Sequence, residues 1–459
     1  MHLIKPNIIP PYDPDFRPAA LANRAFRADV AQVGVPSVLG LRRSPNEVSR
    51  FETMVFPVGH ARFEENFYYV ERLLKFLLWA RGGYQVYVGG PAAIADHIRA
   101  CYSAGGARQF DFHFMGQQVY EQPFTVVGCE PEQVPAGHET GRALGGHLNG
   151  CRIGFDLGAS DRKVSAVVDG QVIFSEEVIW EPRKHADPAY HYQGIMASIQ
   201  TAAAKMARVD AVGGSTAGVV IANRPMVASL FRSVPVERYD EIHSLFERIR
   251  DELQVPLVVI NDGDVTALAG ALSLEQNGVL GVAMGSSEAA GYVDPQGHIR
   301  NWLSELAFAP IDYNPNAPVD EWSGDPGVGA QYFSQQCVFR LVANAGIELP
   351  DGITDAEKLK LVQEKLEAGH PGAEKIWQTM GVYLGYGLAH YAEFYETSNV
   401  LILGRCTSGR GGTLILENAI RVLQAEFPEL AANLHVQLPD EKSRRVGQSI
   451  AAASLPEVK

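Results

Sequence analysis

Nowhere in the 459 residues does a CxxC pair occur, and the five cysteines (Cys101, Cys129, Cys151, Cys337, Cys406) are scattered. That argues against a disulfide framework, an iron–sulfur cluster and a four-cysteine zinc site, and favours a reducing cytosol. A run of about eighteen apolar residues is also absent, so no segment reads as a membrane span. The start, MHLIKPNIIPPYDPDF, lacks the basic opening and long apolar core of a secretory signal. Its Pro10 and Pro11 suggest an extended arm laid over a folded body. Nor is there a basic excess. Residues 1–150 hold 14 Lys+Arg against 14 Asp+Glu, so the net charge of -14 falls entirely on the remainder. Such a chain has no large electrostatic footprint for nucleic acid, and nothing in it suggests a membrane surface. What is present, 46% hydrophobic and 20% charged residues, suits a globular enzyme of two or three domains.

Residues 1–150 read as a small α/β domain, with a linker from about residue 129. In ENFYYVERLLKFLLWARGG (65–83) Phe67, Val70, Leu73, Leu74, Leu77 and Leu78 share one helical stripe that ends at a glycine pair. YQVYVGG alternates as a strand does, and PAAIADHIRACYSAGG reads as a helix with proline in its first turn. FDFHFMG and PFTVVG read as two more strands. From Arg152 three apolar strands follow, RIGFDLGAS, KVSAVVDG and QVIFSEEVIW, with Asp169-Gly170 as the middle link. A helix at roughly 190–207, the strands VDAVGGSTAG and LVVIND, and the helix VTALAGALSL complete a first lobe, 151–275. A second lobe, 276–459, opens with VLGVAMGSS and is mostly helical from about 325 to 397. It closes with the strand NVLILGR and the helices TLILENAIRVLQAEF and RRVGQSIAAASL. Two halves that each open with a strand and a glycine turn predict related lobes facing a cleft.

Four segments carry candidate chemistry. IGFDLGASDRKV delivers Asp156 to a strand end, followed by Gly158, Ser160, Arg162 and Lys163: backbone N–H groups, a hydroxyl and cations for phosphate, and a carboxylate for Mg²⁺. GVAMGSSEAAGYV repeats the pattern with Gly285, Ser286 and Ser287. VVINDGDVTALAG places Asn261 and Asp262 at the carboxyl end of a buried strand, where ligands collect in open α/β sheets. A carboxylate there can take the proton of an attacking hydroxyl, while Asp264 suits a helix N-cap. LILGRCTSGRGG ends a strand at Gly404, where a flat ligand could sit on backbone. Each segment also has a plain reading, as a hairpin, a cap or a strand-to-helix loop. His185, Asp187 and His191 read as ordinary loop residues rather than metal ligands, and Tyr68 and Tyr69 as packing.

The order of these segments is that of the sugar-kinase/actin/heat-shock-chaperone superfamily. Within it, NDGDVTALAGAL resembles the NDANAAALAE stretch of ROK-family sugar kinases, and VLGVAMGSSEAAGYVDPQGHIRNWLSELAFAPID resembles their LGTGIGGG and Gly-Glu-x-Gly-His segments. The resemblance covers 151–459. It implies an α/β, two-lobed actin-like ATPase (ribonuclease H-like) fold, here with an additional small α/β N-terminal domain. It implies Asp262 as catalytic base and Asp156 near Mg²⁺, with Gly158, Ser160, Lys163, Gly285, Ser286, Ser287 and Gly404 around ATP, and Asn223, Asn261 and Glu305 against substrate. It further implies a cytoplasmic homodimer acting on a small carbohydrate.

The chain departs from that pattern at three places. Phe308 stands where the family has a histidine, three residues after Glu305. The segment DEWSGDPGVGAQYFSQQ has no cysteine where the zinc motif falls, so no structural zinc is expected, and the glutamate after that motif falls on Ala330 or Gln331. Missing grips on hexose hydroxyls point away from glucose, toward a sugar derivative, polyol or cyclitol such as an inosose. Glu288 brings a carboxylate into the second phosphate hairpin, to repel a γ-phosphate or hold a metal. The expected function is ATP-dependent phosphorylation of a carbohydrate hydroxyl; a non-catalytic ROK-like sugar sensor is the alternative. The isolated cysteines disfavour a dehydratase-activating ATPase.

Overall fold

The computed structural model describes residues 1–439 and 441–458 of the chain. The chain divides into two compact units: 1–140 with 282–289 and 302–438, and 141–281 with 290–301 and 439–459.

The first unit begins with the expected arm. The backbone N–H groups of Ile8 and Tyr12 donate to Tyr386 Oη at 3.3 Å and Thr379 Oγ1 at 3.2 Å, and Phe16 is fully buried. Helix α1 (Ala19–Val30) leads to an antiparallel pair, β1 (Val35–Ser44) and β2 (Glu47–Val55). Helix α2 (Glu65–Arg81), strand β3 (Gln85–Gly89), helix α3 (Ala92–Cys101) and strand β4 (Thr125–Cys129) follow, and the sheet order is β2-β1-β3-β4. The glycine pair ends α2 as the sequence predicts: Gly82 has φ 83 and its N–H closes the helix on Leu78 O.

FDFHFMG is not a strand. Residues Gln109–His113 are α-helical and Phe114–Val119 continue as a wider π turn. The alternating aromatics mimic a period of two, but Phe110 and Phe114 are four apart and meet on one helical face, where both pack on Trp79. The linker expected from residue 129 carries a short helical turn, Pro131–Gln133, and a strand, Gly141–Arg142, paired antiparallel with Ile299–Arg300.

In the second unit, strands β5 (Cys151–Leu157), β6 (Asp161–Val168) and β7 (Gln171–Ile179) form an antiparallel meander. Asp169 (φ 47) and Gly170 (φ 78) make the two-residue turn, since both positions need the left-handed region. After helix α4 (Pro188–Ala203), strand β8 (Ala211–Thr216) pairs parallel with β5, and β9 (Leu257–Asn261) parallel with β8. The sheet order is β9-β8-β5-β6-β7, over a core that includes Phe155, Val164, Trp180, Ile199, Val212, Phe246 and Val259. Helix α5 (Asp262–Leu274) starts where β9 stops. Strands β10 (Val279–Met284) and β11 (Glu288–Val293) form a hairpin whose base belongs to this unit and whose tip belongs to the first.

Within 302–438 the principal elements are helix α6 (Pro371–Tyr391), strand β12 (Asn399–Leu403) and helix α7 (Arg410–Glu426). The final helix, α8 (Glu441–Ala453), lies on β5 and β8 of the second unit. Small residues are required there: a Cβ at Gly154 would come within 2.9 Å of Ala453 N, and one at Gly213 within 2.6 Å of the Ala452 carbonyl carbon. Among the described residues no helix is long and apolar enough to cross a membrane.

Candidate functional site

Strands β5, β8 and β9 run parallel, and their carboxyl ends bring two predicted carboxylates together. Asp156 lies opposite Ser215 of β8 and opposite Lys163 of β6. On the other flank of β8, Asn261 lies opposite Thr216, with Asp262 next in sequence. The Ser215 hydroxyl donates to Asp156 Oδ1. Burial raises the proton affinity of Asp156, partly offset by that hydrogen bond. Asp262 is pushed up to about 6, first by burial and then by the charge of Asp156. Two half-buried carboxyls, one raising the other, are a common functional arrangement.

Asp262 is the first residue of helix α5. The helix N-cap is Asn261, not Asp264: Asn261 Oδ1 accepts the Gly263 N–H at 2.6 Å, and its Nδ2 donates to Gly218 O at 2.9 Å. Asp264 points inward, accepts the Tyr292 N–H at 3.3 Å, and is raised to about 7 by burial. The Gly263 backbone packs against β11, where a Cβ would meet the Ala290 carbonyl carbon at 2.7 Å. Asn223 (φ 65) is occupied otherwise. Its Nδ2 donates to Leu257 O at 3.0 Å and its Oδ1 accepts the Val259 N–H at 2.8 Å, so its amide clamps the edge of β9.

The turn after Asp156 is tied internally. Gly158 donates its N–H to Asp161 O at 2.9 Å, and its carbonyl accepts from the Trp180 indole at 2.9 Å. Asp161 accepts from the exposed Ser160 hydroxyl at 2.9 Å and pairs with Lys163 Nζ at 3.3 Å. Asp161 therefore organises two of the three polar donors, Ser160 and Lys163, that the sequence points to.

The remaining predicted residues lie in the first unit. Ser286 and Ser287 are exposed at the β10–β11 tip, and Gly285 donates to Ser287 O at 3.0 Å. Gly404 has φ 99 and closes on β10: a Cβ would come within 2.6 Å of Met284 N. Glu305 opens a short turn, Leu306–Phe308, and Phe308 is buried against Trp79 at 4.4 Å and Trp322 at 5.2 Å. Glu288 overturns the expectation of a free negative charge. It is 3% exposed, accepts the Tyr391 hydroxyl at 2.8 Å, and is pushed up to about 8, first by burial. It is therefore mainly protonated at neutral pH.

Ser215, Asp161 and Tyr391 were not singled out from sequence. Ser215 and Tyr391 act through strand register and helix packing across more than fifty residues, which no local spacing announces; Asp161 carried a local signal, being inside the turn itself. Among the described residues no group of three or more His, Cys, Asp or Glu is placed to hold a metal. His185 stacks on Tyr190 at 3.6 Å, and His191 packs on Phe231 at 5.0 Å.

No protein-family model matches the chain, and no curated protein matches it in sequence. Solved structures do match in fold. A ROK family glucokinase from Streptomyces griseus, in complex with glucose and AMPPNP, aligns with a TM-score of 0.52 at 20% identity, over 66% of this chain and 98% of that one. A ROK family transcriptional regulator, homologous to the E. coli MLC protein, aligns with a TM-score of 0.54 at 17% identity, over 67% and 78%. The ROK hexokinase of Thermus thermophilus aligns with a TM-score of 0.51 at 16% identity, over 66% and 97%. About two thirds of this chain therefore has the α/β fold of the ROK sugar kinases.

Proposed function

We propose that the protein is an ATP-dependent carbohydrate kinase whose general base is Asp262. The observation that carries this reading is the carboxylate pair at the ends of parallel strands: Asp156 and Asp262 flank the end of β8, and the charge of the first raises the proton affinity of the second. A base held near 6 is largely ionised at pH 7 and keeps appreciable basicity, as proton abstraction from a hydroxyl requires. The glucokinase neighbour, solved with glucose and AMPPNP, supports the same chemistry.

In this reading the sugar hydroxyl is oriented by Asn261 and Glu305, and Asp262 accepts its proton as the oxygen attacks the γ-phosphorus. Ser160, Lys163, Gly285, Ser286 and Ser287 bind ATP, with Gly404 beside the adenine. The close negative pair suits a divalent cation: Asp156 would hold Mg²⁺, which neutralises charge on the phosphates. Asn223 is left out of substrate contact because its amide is committed to β9. Phe308, buried among aromatic rings, offers no hydrogen bond to a hexose hydroxyl, which directs the proposal to a sugar derivative, polyol or cyclitol.

A second reading, a sugar-responsive regulator without turnover, is favoured by the transcriptional-regulator neighbour. An ATP-consumption screen over hexoses, amino sugars, polyols and cyclitols separates the two. The kinase reading expects turnover with at least one compound, reduced by about 10²–10⁴-fold in Asp262→Asn. Turnover that survives the substitution removes the base; no turnover with any compound leaves the regulator.

A further inference from the structure

A helix at the surface of a globular protein keeps one polar face in water. Helix α2 does not. Its Glu71, Arg72 and Lys75 are 5%, 2% and 0% exposed, so each charge needs a partner inside the protein. Arg72 chelates Glu71 at 2.7 and 2.9 Å, and Arg108 also donates to Glu71. Lys75 Nζ donates to both oxygens of Asp111 at 2.8 and 3.1 Å and pairs with Asp325, which Arg108 also contacts. Three cations thus balance three carboxylates, and one of the latter, Asp325, lies on the loop that follows Glu305 and Phe308.

The other end of α2 holds the same stretch of chain. The last carbonyls of a helix have no partner within it. Trp79 O accepts the Glu305 N–H and Ala80 O accepts the Ser304 N–H, both at 3.0 Å. Ser304 sits at φ 50, so that docking fixes an uncommon backbone conformation immediately before Glu305. The Trp79 ring packs on Phe308, and the Arg81 guanidinium lies 3.2 Å from the Trp302 ring centroid. One helix end therefore anchors positions 302, 304, 305 and 308, while its middle anchors 325.

We propose that α2 is the element that positions Glu305 for the substrate, with Trp79 and Lys75 as positioning residues. The inference rests on the kinase reading and extends it by giving the N-terminal segment a role: it supplies the support on which the substrate-binding carboxylate of Glu305 is set. Phe308 fits this role, because an aromatic ring at that position is what Trp79 packs against.

The test uses the full-length chain and two variants. Trp79→Phe keeps a ring but loses the indole N–H that donates to Asp111. The pair Lys75→Met with Asp111→Asn removes one charge of each sign, so no buried ion is stranded if the single substitution fails to fold. Hydrogen–deuterium exchange of peptides spanning 302–308 should rise about tenfold in the double variant, with 151–168 unchanged. ATP consumption is followed with glucose, N-acetylmannosamine and myo-inositol. For whichever the wild type turns over, KM for that compound should rise about tenfold while KM for ATP stays within about twofold. Unchanged exchange at 302–308, or a parallel rise in both KM values, overturns the proposal. A wild type that consumes no ATP with any compound of the wider hexose, amino-sugar, polyol and cyclitol screen removes the kinase reading, and the substrate role of Glu305 with it; the exchange data then still show whether α2 holds the segment.

Discussion

Glu288 and Asp262 are both carboxyls raised by burial, and the sign of the shift has opposite consequences for stability and for activity. Burial, and then the Glu305 charge, moves Glu288 from 4.5 to about 8 against the opposing hydrogen bond from the Tyr391 hydroxyl. The folded chain therefore binds its proton more tightly than the unfolded chain does. The stability Glu288 contributes is complete below about pH 4.5, declines as pH rises, and is lost above about 8. Glu288→Gln keeps the shape and removes the titration. Denaturant unfolding of wild type and variant should therefore diverge on going from pH 5 to pH 9, by a few kcal/mol at one unit per ~1.4 kcal/mol. Curves that stay parallel would refute a buried, protonated Glu288. Asp262 must instead be ionised to act, so turnover should fall as pH drops through about 6, and a rate profile flat from pH 5 to 8 would exclude it as the base.

At the scale of elements, glycine placement decides several joints. Gly404 ends β12 in the left-handed region against the Met284 backbone, so Gly404→Ala meets both a strained φ and a collision with an atom that has no side-chain freedom. A loss of about 2–4 kcal/mol in unfolding free energy is expected. A variant as stable as wild type would show that β10 and β12 can separate at no cost. The aromatic stretch 110–116 teaches the converse lesson. Alternation of Phe with Asp, His and Met suggests a strand, yet buried Asp111 has its partners on α2, and only a helical path delivers Phe110 and Phe114 to Trp79 as well.

For the molecule as a whole, the N-terminal segment is woven into the unit it shares with 302–438. Phe76 packs on His390 at 4.5 Å and Phe394 at 4.2 Å, and Arg27 grips Glu393 through two hydrogen bonds of 3.0 and 2.7 Å. Phe16 nests against Tyr332, Tyr383 and Tyr386. A fragment beginning at residue 141 would expose these aromatic faces, and no cooperative thermal melt is expected from it by circular dichroism. A soluble fragment that melts cooperatively would establish 1–140 as a separable domain.

Much of the candidate site could be read from local sequence. Strand, glycine turn and carboxylate follow one another within a dozen residues, and backbone sterics and buried-strand patterning act over that range. The Asp169-Gly170 turn, the glycine stop of α2 and the small-residue final helix were determined the same way. Only tertiary structure decided which charges survive as charges. Glu288 became a neutral acid because burial strips its water, an effect that the hydroxyl of Tyr391, about a hundred residues later, only partly offsets, and Asn223 became a strand clamp because β9 folds back beside it. Asn261 took the cap from Asp264 because Tyr292 draws the latter inward. Solvation and pairing depend on neighbours distant along the chain, and periodicity carries no record of them.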